Sequence, residues 1–418
     1  MKMKNVNLFL MDMINVGAMN GVTRYLNILA GLLSQKNIYH VTWIRFTWDR
    51  KLLGIKRIVC DGYVQIIIPL PHDMNRLLGN PHCMRDYNKV VFHLLKEDFE
   101  KGGICILHLH TLNLIDLAMY IKQRVPCKII THLHCIPWKG LYNTDKERFN
   151  DLYQKYYLGK GDVRMSDFIS KRYELQSYLF SDAVVCVTAC AKDFILRFCV
   201  VPSSRIRVIY NGMKDECKER NTRRKKVDFP VKCLYVGNMN ESKGLHLILK
   251  ALNLVREKYP VILTVAGQCS LKQREKWQEE YPNLFLKFTG LIPFEELKQC
   301  YIDNEIGIIA SLQEQCSYVA LEMMMFGLPV VTTNVDGLDE LFVQNENALK
   351  VPTCYDENVG LTVNLEQLST AILELIEKKN LRERIGHNAR HTFIDRFTET
   401  RMVEETHNLY QAVLQNDL

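Results

Sequence analysis

No Cys-x-x-Cys pair occurs in the 418 residues, although the chain carries 14 cysteines. The cysteines are scattered, and Cys105, Cys186 and Cys233 lie inside apolar strand-like runs, where cysteine behaves as a small hydrophobe. That usage argues against a disulfide scaffold and favours a reduced, cytoplasmic compartment. Long apolar runs are also missing. The longest, such as VQIIIPL and EIGIIAS, are strand-sized and far short of a membrane span. The opening MKMKNVNLFLMDM has the lysines and apolar stretch of a signal peptide, but Asn5, Asn7 and Asp12 interrupt it. No small-residue cleavage site follows, so the segment is read as a first β-strand. There is no repeat of fixed period and no low-complexity segment. No Gly-x-Gly-x-x-Gly follows the first strand of either half, which argues against a dinucleotide-dependent oxidoreductase.

Charge of one sign is only modestly in excess, at +7, and much of it falls in KDECKERNTRRKK (214–226). That run has no aromatic residue on which bases could stack, so it reads as a solvated linker and no nucleic-acid partner is expected.

What is present is a soluble globular composition, 47% hydrophobic and 24% charged, on a chain longer than one core normally takes. Strand-like runs alternate with helix-length amphipathic stretches in both halves, the pattern of parallel α/β sheets. The first series reads VNLFLMD, YHVTWIRF, YVQIIIPL, ICILHLH, CKIITHLH, AVVCVTA and RIRVIYN. After Asn211 the composition turns charged, and a second series reads KCLYVGN, VILTVAG, LFLKFTG, IGIIAS, PVVTTN and ALKVP. We therefore expect two Rossmann-like, doubly wound domains facing across a cleft. The first covers 1–211 and the second 231–395, joined by a basic linker at 212–230. The helical segment 396–418 is expected to cross back toward the first domain. Segment 136–175, rich in tyrosine and charge, is an insert and reads either as a helical flap or as an acceptor-binding surface.

In such folds ligands bind beyond the carboxyl ends of the strands, and four places there could carry chemistry. Gly17 and Gly21, in NVGAMNGVTRY after the first strand, would let backbone approach a ligand before a helix that also carries Arg24. Two His-x-His elements, His108/His110 and His132/His134, each present both rings on one face of a strand. A zinc site is conceivable there, but no acidic or cysteine motif completes a familiar ligand spacing, so no metal is assigned. One histidine at the end of CKIITHLH touching a polar ligand is the preferred reading, against buried histidines bonded to backbone. In YVGNMNESKG (235–244), Lys243 opens a helix, where the dipole slightly disfavours a cation, and so suggests phosphate binding. Lastly, SLQEQCSYVALEMMMFGLPVV places Glu314 in a loop and Glu322 in the second turn of a helix starting near Ser317. Val319, Met323 and Phe326 are read as its core face.

These pieces resemble, in order and over nearly the whole chain, the retaining glycosyltransferases of family four, which have the GT-B fold. Glu314-x7-Glu322 followed by FGLPVVTTNVDGLDE is similar to that family's EX7E motif and glycine-rich loop. YVGNMNESKGLHLILKAL is similar to its phosphate-lysine segment, and GVTRYLNILAGL to its opening glycine loop. The resemblance implies a UDP- or GDP-sugar donor held by the second domain and an acceptor held by the first. The acceptor would be a glycan, a lipid-linked glycan, a small molecule or a peptide.

By the same implication Glu322 bonds the ribose hydroxyls, and Glu314 lies by the sugar and supports charge at its anomeric carbon. Lys243 holds the diphosphate with the amides of Ser317, Tyr318 and Val319, beside Gly237 and Asn238. His134 contacts the transferred sugar, with His132 as the competing assignment. No cofactor or metal is implied, in keeping with the lack of any Asp-x-Asp. Asn238 stands where the family usually has an arginine; losing that charge-assisted contact costs about 1.5–3 kcal/mol. This departure keeps open a catalytically silent partner subunit, beside a nucleotide-sugar epimerase of the same fold. A basic, aromatic first-domain surface would suit peripheral contact at the inner membrane surface, although 136–175 is too mixed in charge to argue for it.

Overall fold

The computed structural model describes residues 5–14, 21–49, 51–71, 81–101, 103–144, 146–157, 174, 176–199, 201–217, 229–356 and 359–417. The chain forms two compact units, Met1–Asn211 with Glu399–Leu418, and Gly212–Thr398.

The first unit is built on β1 (Val6–Ile14), β2 (Tyr39–Thr47), β3 (Lys56–Val59), β4 (Val64–Pro69), β5 (Ile104–Leu109), β6 (Cys127–Leu133), β7 (Ala183–Cys186) and β8 (Ile206–Val208). The strand order is β3-β4-β2-β1-β5-β6-β7-β8, and every pairing is parallel except β3 with β4. From β1 the sheet grows to one side through β2 and to the other through β5, so the order reverses between β1 and β5. The central strands are apolar on both faces because helices cover both. Leu107 and Leu109 of β5 enter one core with Phe9, Met11 and Ile129. On the other face lie α1 (Gly21–Ser34) and α2 (Glu399–Gln415), which touch each other. Helix α1 buries Tyr25, Leu26, Leu29, Ala30 and Leu33, one stripe at helical period.

Helix α2 returns the chain end to this unit. It buries Met402, Val403, Thr406, Leu409, Tyr410 and Val413. Polar contacts add to that stripe: Lys36 meets Glu404 at 2.7 Å, and the Tyr39 hydroxyl lies 2.7 Å from His407 Nδ1. Arg401 donates to the carbonyl of Tyr210 at 2.7 Å. Within 136–175, helices cover Pro137–Thr144 and Lys146–Tyr157. Phe149 is buried there against Phe194, and the half-buried Tyr142 and Tyr153 pack around it. Residues 158–173, with Arg164, Lys171 and Arg172, lie outside the described residues.

The second unit has a six-stranded parallel sheet in the order β11-β10-β9-β12-β13-β14. Its strands are β9 (Val231–Val236), β10 (Val261–Ala266), β11 (Phe285–Gly290), β12 (Ile306–Ile309), β13 (Val330–Thr333) and β14 (Leu349–Val351). Here the order reverses between β9 and β12. A small antiparallel hairpin, β15 (Thr353–Asp356) and β16 (Gly360–Val363), follows. Asp215 pairs with Arg390 through contacts of 2.8 and 2.6 Å, and Glu216 with Lys298 at 2.9 Å. The start of the basic stretch is thus fastened to the second unit, while 218–228 lie outside the described residues. Among the described residues no helix is long and apolar enough to cross a membrane.

Candidate functional site

In the second unit, the reversal point between β9 and β12 brings two of the sequence candidates into direct contact. Lys243 Nζ donates to Glu314 Oε1 at 2.6 Å. The cause is local. Gly244, at φ 71°, lets the turn after β9 lie against the end of β12, and a Cβ on it would stand 1.9 Å from the carbonyl oxygen of Ala310. The amide of Leu312 donates to the carbonyl of Ser242 at 2.8 Å, which locks the two loops together. Ser311 Oγ adds a hydrogen bond to Glu314 Oε1 at 3.2 Å. The glycine-rich loop approaches from the other side. A Cβ on Gly337 would lie 1.3 Å from the carbonyl oxygen of Gln315, so no other residue fits that position unchanged. The side chains of Lys243 and Glu314 remain 30% and 13% exposed, open enough for a ligand to compete for either.

Ser317 caps the helix α3 (Tyr318–Met325) by accepting the Ala320 amide at 3.4 Å, and the amides of Tyr318 and Val319 open its first turn. Ser317 is buried, while Tyr318 and Val319 are half-buried. Glu322 is only 3% exposed, and its Oε2 accepts the Tyr301 hydroxyl at 2.5 Å. Tyr301 is itself fully buried and stacks on Phe326 with ring centroids 5.3 Å apart. The three consecutive methionines, Met323, Met324 and Met325, are wholly buried, Met323 beside Gly307 of β12. Gly237 donates to the Ala266 carbonyl at 3.0 Å at the end of β9, and Asn238 beyond it is exposed. The carbonyl of Asn238 accepts the Tyr235 hydroxyl at 2.6 Å.

In the first unit, Gly21 opens α1 exposed and Arg24 is half-buried one turn on. Gly17 lies outside the described residues. The two His-x-His elements form one layer between the sheet and the helices α1 and α2. His110 Nδ1 lies 2.9 Å from His134 Nε2, and His108 Nδ1 lies 2.6 Å from the Tyr410 hydroxyl. The rings of His132 and His134 stack at 4.4 Å, and Tyr25 packs against His110, His132 and His134. Burial drives His108 and His134 down to about 3. It drives His110 and His132 well below the usual imidazole range, and the charge of neighbouring rings adds to this. All four are neutral at physiological pH. His134 alone of the four reaches the half-exposed end of its strand.

Sequence reasoning missed Tyr301 and Ser311, which hold the two glutamates, and Tyr410, which holds His108. Tyr301 and Tyr410 stand inside amphipathic helices with the appearance of ordinary core residues. Ser311, by contrast, is three residues from Glu314 at a strand end, and that position was a usable signal.

Two family models match the chain. "Glycosyltransferase Family 4" matches residues 19–216 and "Glycosyl transferases group 1" matches residues 218–392. An uncharacterised glycosyltransferase of Methanocaldococcus jannaschii is 24% identical over 59% of this chain and 65% of its own length. The chain thus spans just under two thirds of that relative. The O-antigen biosynthesis glycosyltransferase WclY of Escherichia coli is 25% identical over 71% of this chain and 76% of its own. Among solved structures, sucrose-phosphate synthase of Thermosynechococcus elongatus superposes with a TM-score of 0.75 at 16% identity. The match covers 98% of this chain and 99% of the synthase. HepE of Anabaena, in complex with UDP-glucose, gives 0.65 at 13% identity over 97% and 99%. At these identities the structures establish the fold, two Rossmann-like sheets of the GT-B class.

Proposed function

Because the chain belongs to the group 1 glycosyltransferases of family four, we propose that it transfers a sugar from a nucleoside-diphosphate sugar to an acceptor hydroxyl. The donor is a UDP- or GDP-sugar, transfer retains anomeric configuration, and the product belongs to a glycan or polysaccharide made in the cytoplasm. The single observation that carries this reading is the Lys243–Glu314 contact at the reversal point of the second sheet. A partly exposed ion pair is worth about 0–1 kcal/mol, so an incoming diphosphate displaces it at little cost.

Lys243 then turns to the diphosphate, together with the amides opening α3, where the helix dipole favours an anion. Glu314, released from its lysine, is left for the sugar. A carboxylate there supports positive charge at the anomeric carbon in an oxocarbenium-like transition state. Glu322 is assigned to the ribose hydroxyls, with Tyr301 fixing one of its oxygens. The departing phosphate oxygen takes the acceptor's proton as the new glycosidic bond forms, so no protein base is required. Lys243 and helix amides, rather than a metal ion, are proposed to carry the leaving-group charge. His134 is the first unit's candidate contact for the sugar, and Gly21 and Arg24, at the start of α1, are kept as its candidate glycine-loop contacts to a ligand.

One observation favours a second reading, a binding subunit without turnover: Asn238, exposed at the end of β9, offers an amide where the family has a guanidinium. A single experiment separates the two. UDP-, GDP- and ADP-sugars are screened for thermal shift and for hydrolysis, in which water takes the sugar and the nucleoside diphosphate is released, UDP-glucose first, since it is the ligand in the HepE structure. A stabilising donor that is turned over supports transfer. Stabilisation without release supports the binding subunit, and no response to any donor overturns both.

A further inference from the structure

The histidine layer of the first unit plays no part in donor binding beyond His134, yet it is an unusual thing to bury. His108, His110 and His132 are 0%, 5% and 2% exposed. Four of their ring nitrogens, Nε2 of His108, Nε2 of His110 and both nitrogens of His132, lie buried with no hydrogen-bond partner among the described residues. A buried polar atom left unpaired is costly, and native proteins seldom tolerate several in one cluster.

The backbone explains why these rings converge. The β5–β6 register sets Leu109 beside Thr131, so His110 and His132 follow side by side on the face opposite Leu109. One nitrogen from each of His108, His110 and His132 lies within 4.8 Å of the others. Tetrahedral zinc with bonds of about 2.0–2.1 Å needs nitrogens roughly 3.4 Å apart, so binding an ion would draw the three rings closer together. The outer contacts are of the right kind as well. With Nδ1–H of His110 donating to His134, and Nδ1–H of His108 to Tyr410, both Nε2 lone pairs point away from those partners. A ligating histidine characteristically spends its second nitrogen in this way.

We propose that His108, His110 and His132 bind one first-row transition-metal dication of the zinc class, held by three neutral imidazoles. The site lies within the first unit, whereas the donor phosphates are proposed to be held by the second. Three imidazoles leave a fourth coordination position for water or an anion. Because His134 and Tyr410 support two of the ligands, the ion would fasten β5 and β6 to the final helix α2.

The test uses the untagged full-length chain, stripped with a chelator and titrated with cobalt(II) and zinc(II) by calorimetry and visible absorption. We expect one equivalent bound, the intense visible bands of four-coordinate cobalt, and a melting temperature that rises with zinc and falls again with chelator. His132→Gln should weaken uptake by more than about tenfold, by analogy with the loss seen on removing even outer-shell partners. The exposed His40→Gln should leave it unchanged. Absence of stoichiometric uptake, unaltered uptake in His132→Gln, or uptake lost in His40→Gln overturns the proposal. Should His132→Gln not fold, His110→Gln is read in its place, with the wild-type titration decisive. An ordered water serving the same nitrogens predicts no uptake at all.

Discussion

The two sheets finish differently at the points where their strand order reverses. On β5 and β6, next to that point, the first unit gathers four neutral imidazoles packed against Tyr25 and Tyr410. Beside β9 and β12, the second gathers a lysine and a glutamate, paired at 2.6 Å and partly open to solvent. The difference follows from burial. Charges are not held where nothing compensates them, so the buried layer titrates into its neutral form and offers lone pairs. At the half-open corner lysine and glutamate hold each other only weakly, so a ligand with charge of its own can exchange for either. One edge is suited to hold something fixed, the other to bind and release.

The sharpest way to break that comparison is at Glu314. Under the proposed function Glu314→Gln lowers kcat by about 10²–10³, the scale of removing one electrostatic stabiliser of a transition state, with KM little changed. Normal turnover in this variant would make Glu314 a mere partner for Lys243. Next in size is Gly244→Ala. The added methyl meets the Ala310 carbonyl and the residue keeps a left-handed φ, so stability should drop by about 1–3 kcal/mol in denaturant unfolding. Donor affinity should fall with it, because Lys243 is displaced. A wild-type unfolding midpoint would show that the two loops are not locked as described. The smallest effect belongs to the pair that fastens α2, Lys36 with Glu404, whose side chains are 28% and 50% exposed. Lys36→Ala should cost less than about 1 kcal/mol. A larger loss would mean that surface contacts, rather than Tyr410 and its apolar neighbours, hold the final helix.

Much of the fold was legible because parallel strands buried on both faces are written as short, dense apolar runs. Every run read as a strand, from VNLFLMD to ALKVP, contains one. The elements missed are those without such a signature. Strand β3, KRIV, is an antiparallel edge whose Val59 is 85% exposed, and β15 and β16 form an exposed hairpin. In the candidate site, the chemistry of each piece was visible but its partners were not. Lys243 and Glu314 lie 71 positions apart, and only the close packing of Gly244 on Ala310 makes them touch. The His-x-His spacing showed that each pair shares a face. That the two pairs form one layer depends on the β5–β6 register, and that Tyr410 closes it depends on a contact across 302 positions. Periodicity within a segment cannot report either.

The central claim is that the Lys243–Glu314 corner holds the donor's diphosphate. It is tested most directly by calorimetric titration of the donor picked out by the screen into wild-type protein and Lys243→Ala. The account predicts an affinity loss of about 1.5–3 kcal/mol, the worth of a hydrogen bond to a charged group, roughly ten- to a hundredfold. It also predicts that the nucleoside alone, which lacks the phosphates, binds both proteins equally. Equal affinity of the two proteins for the full donor would contradict it.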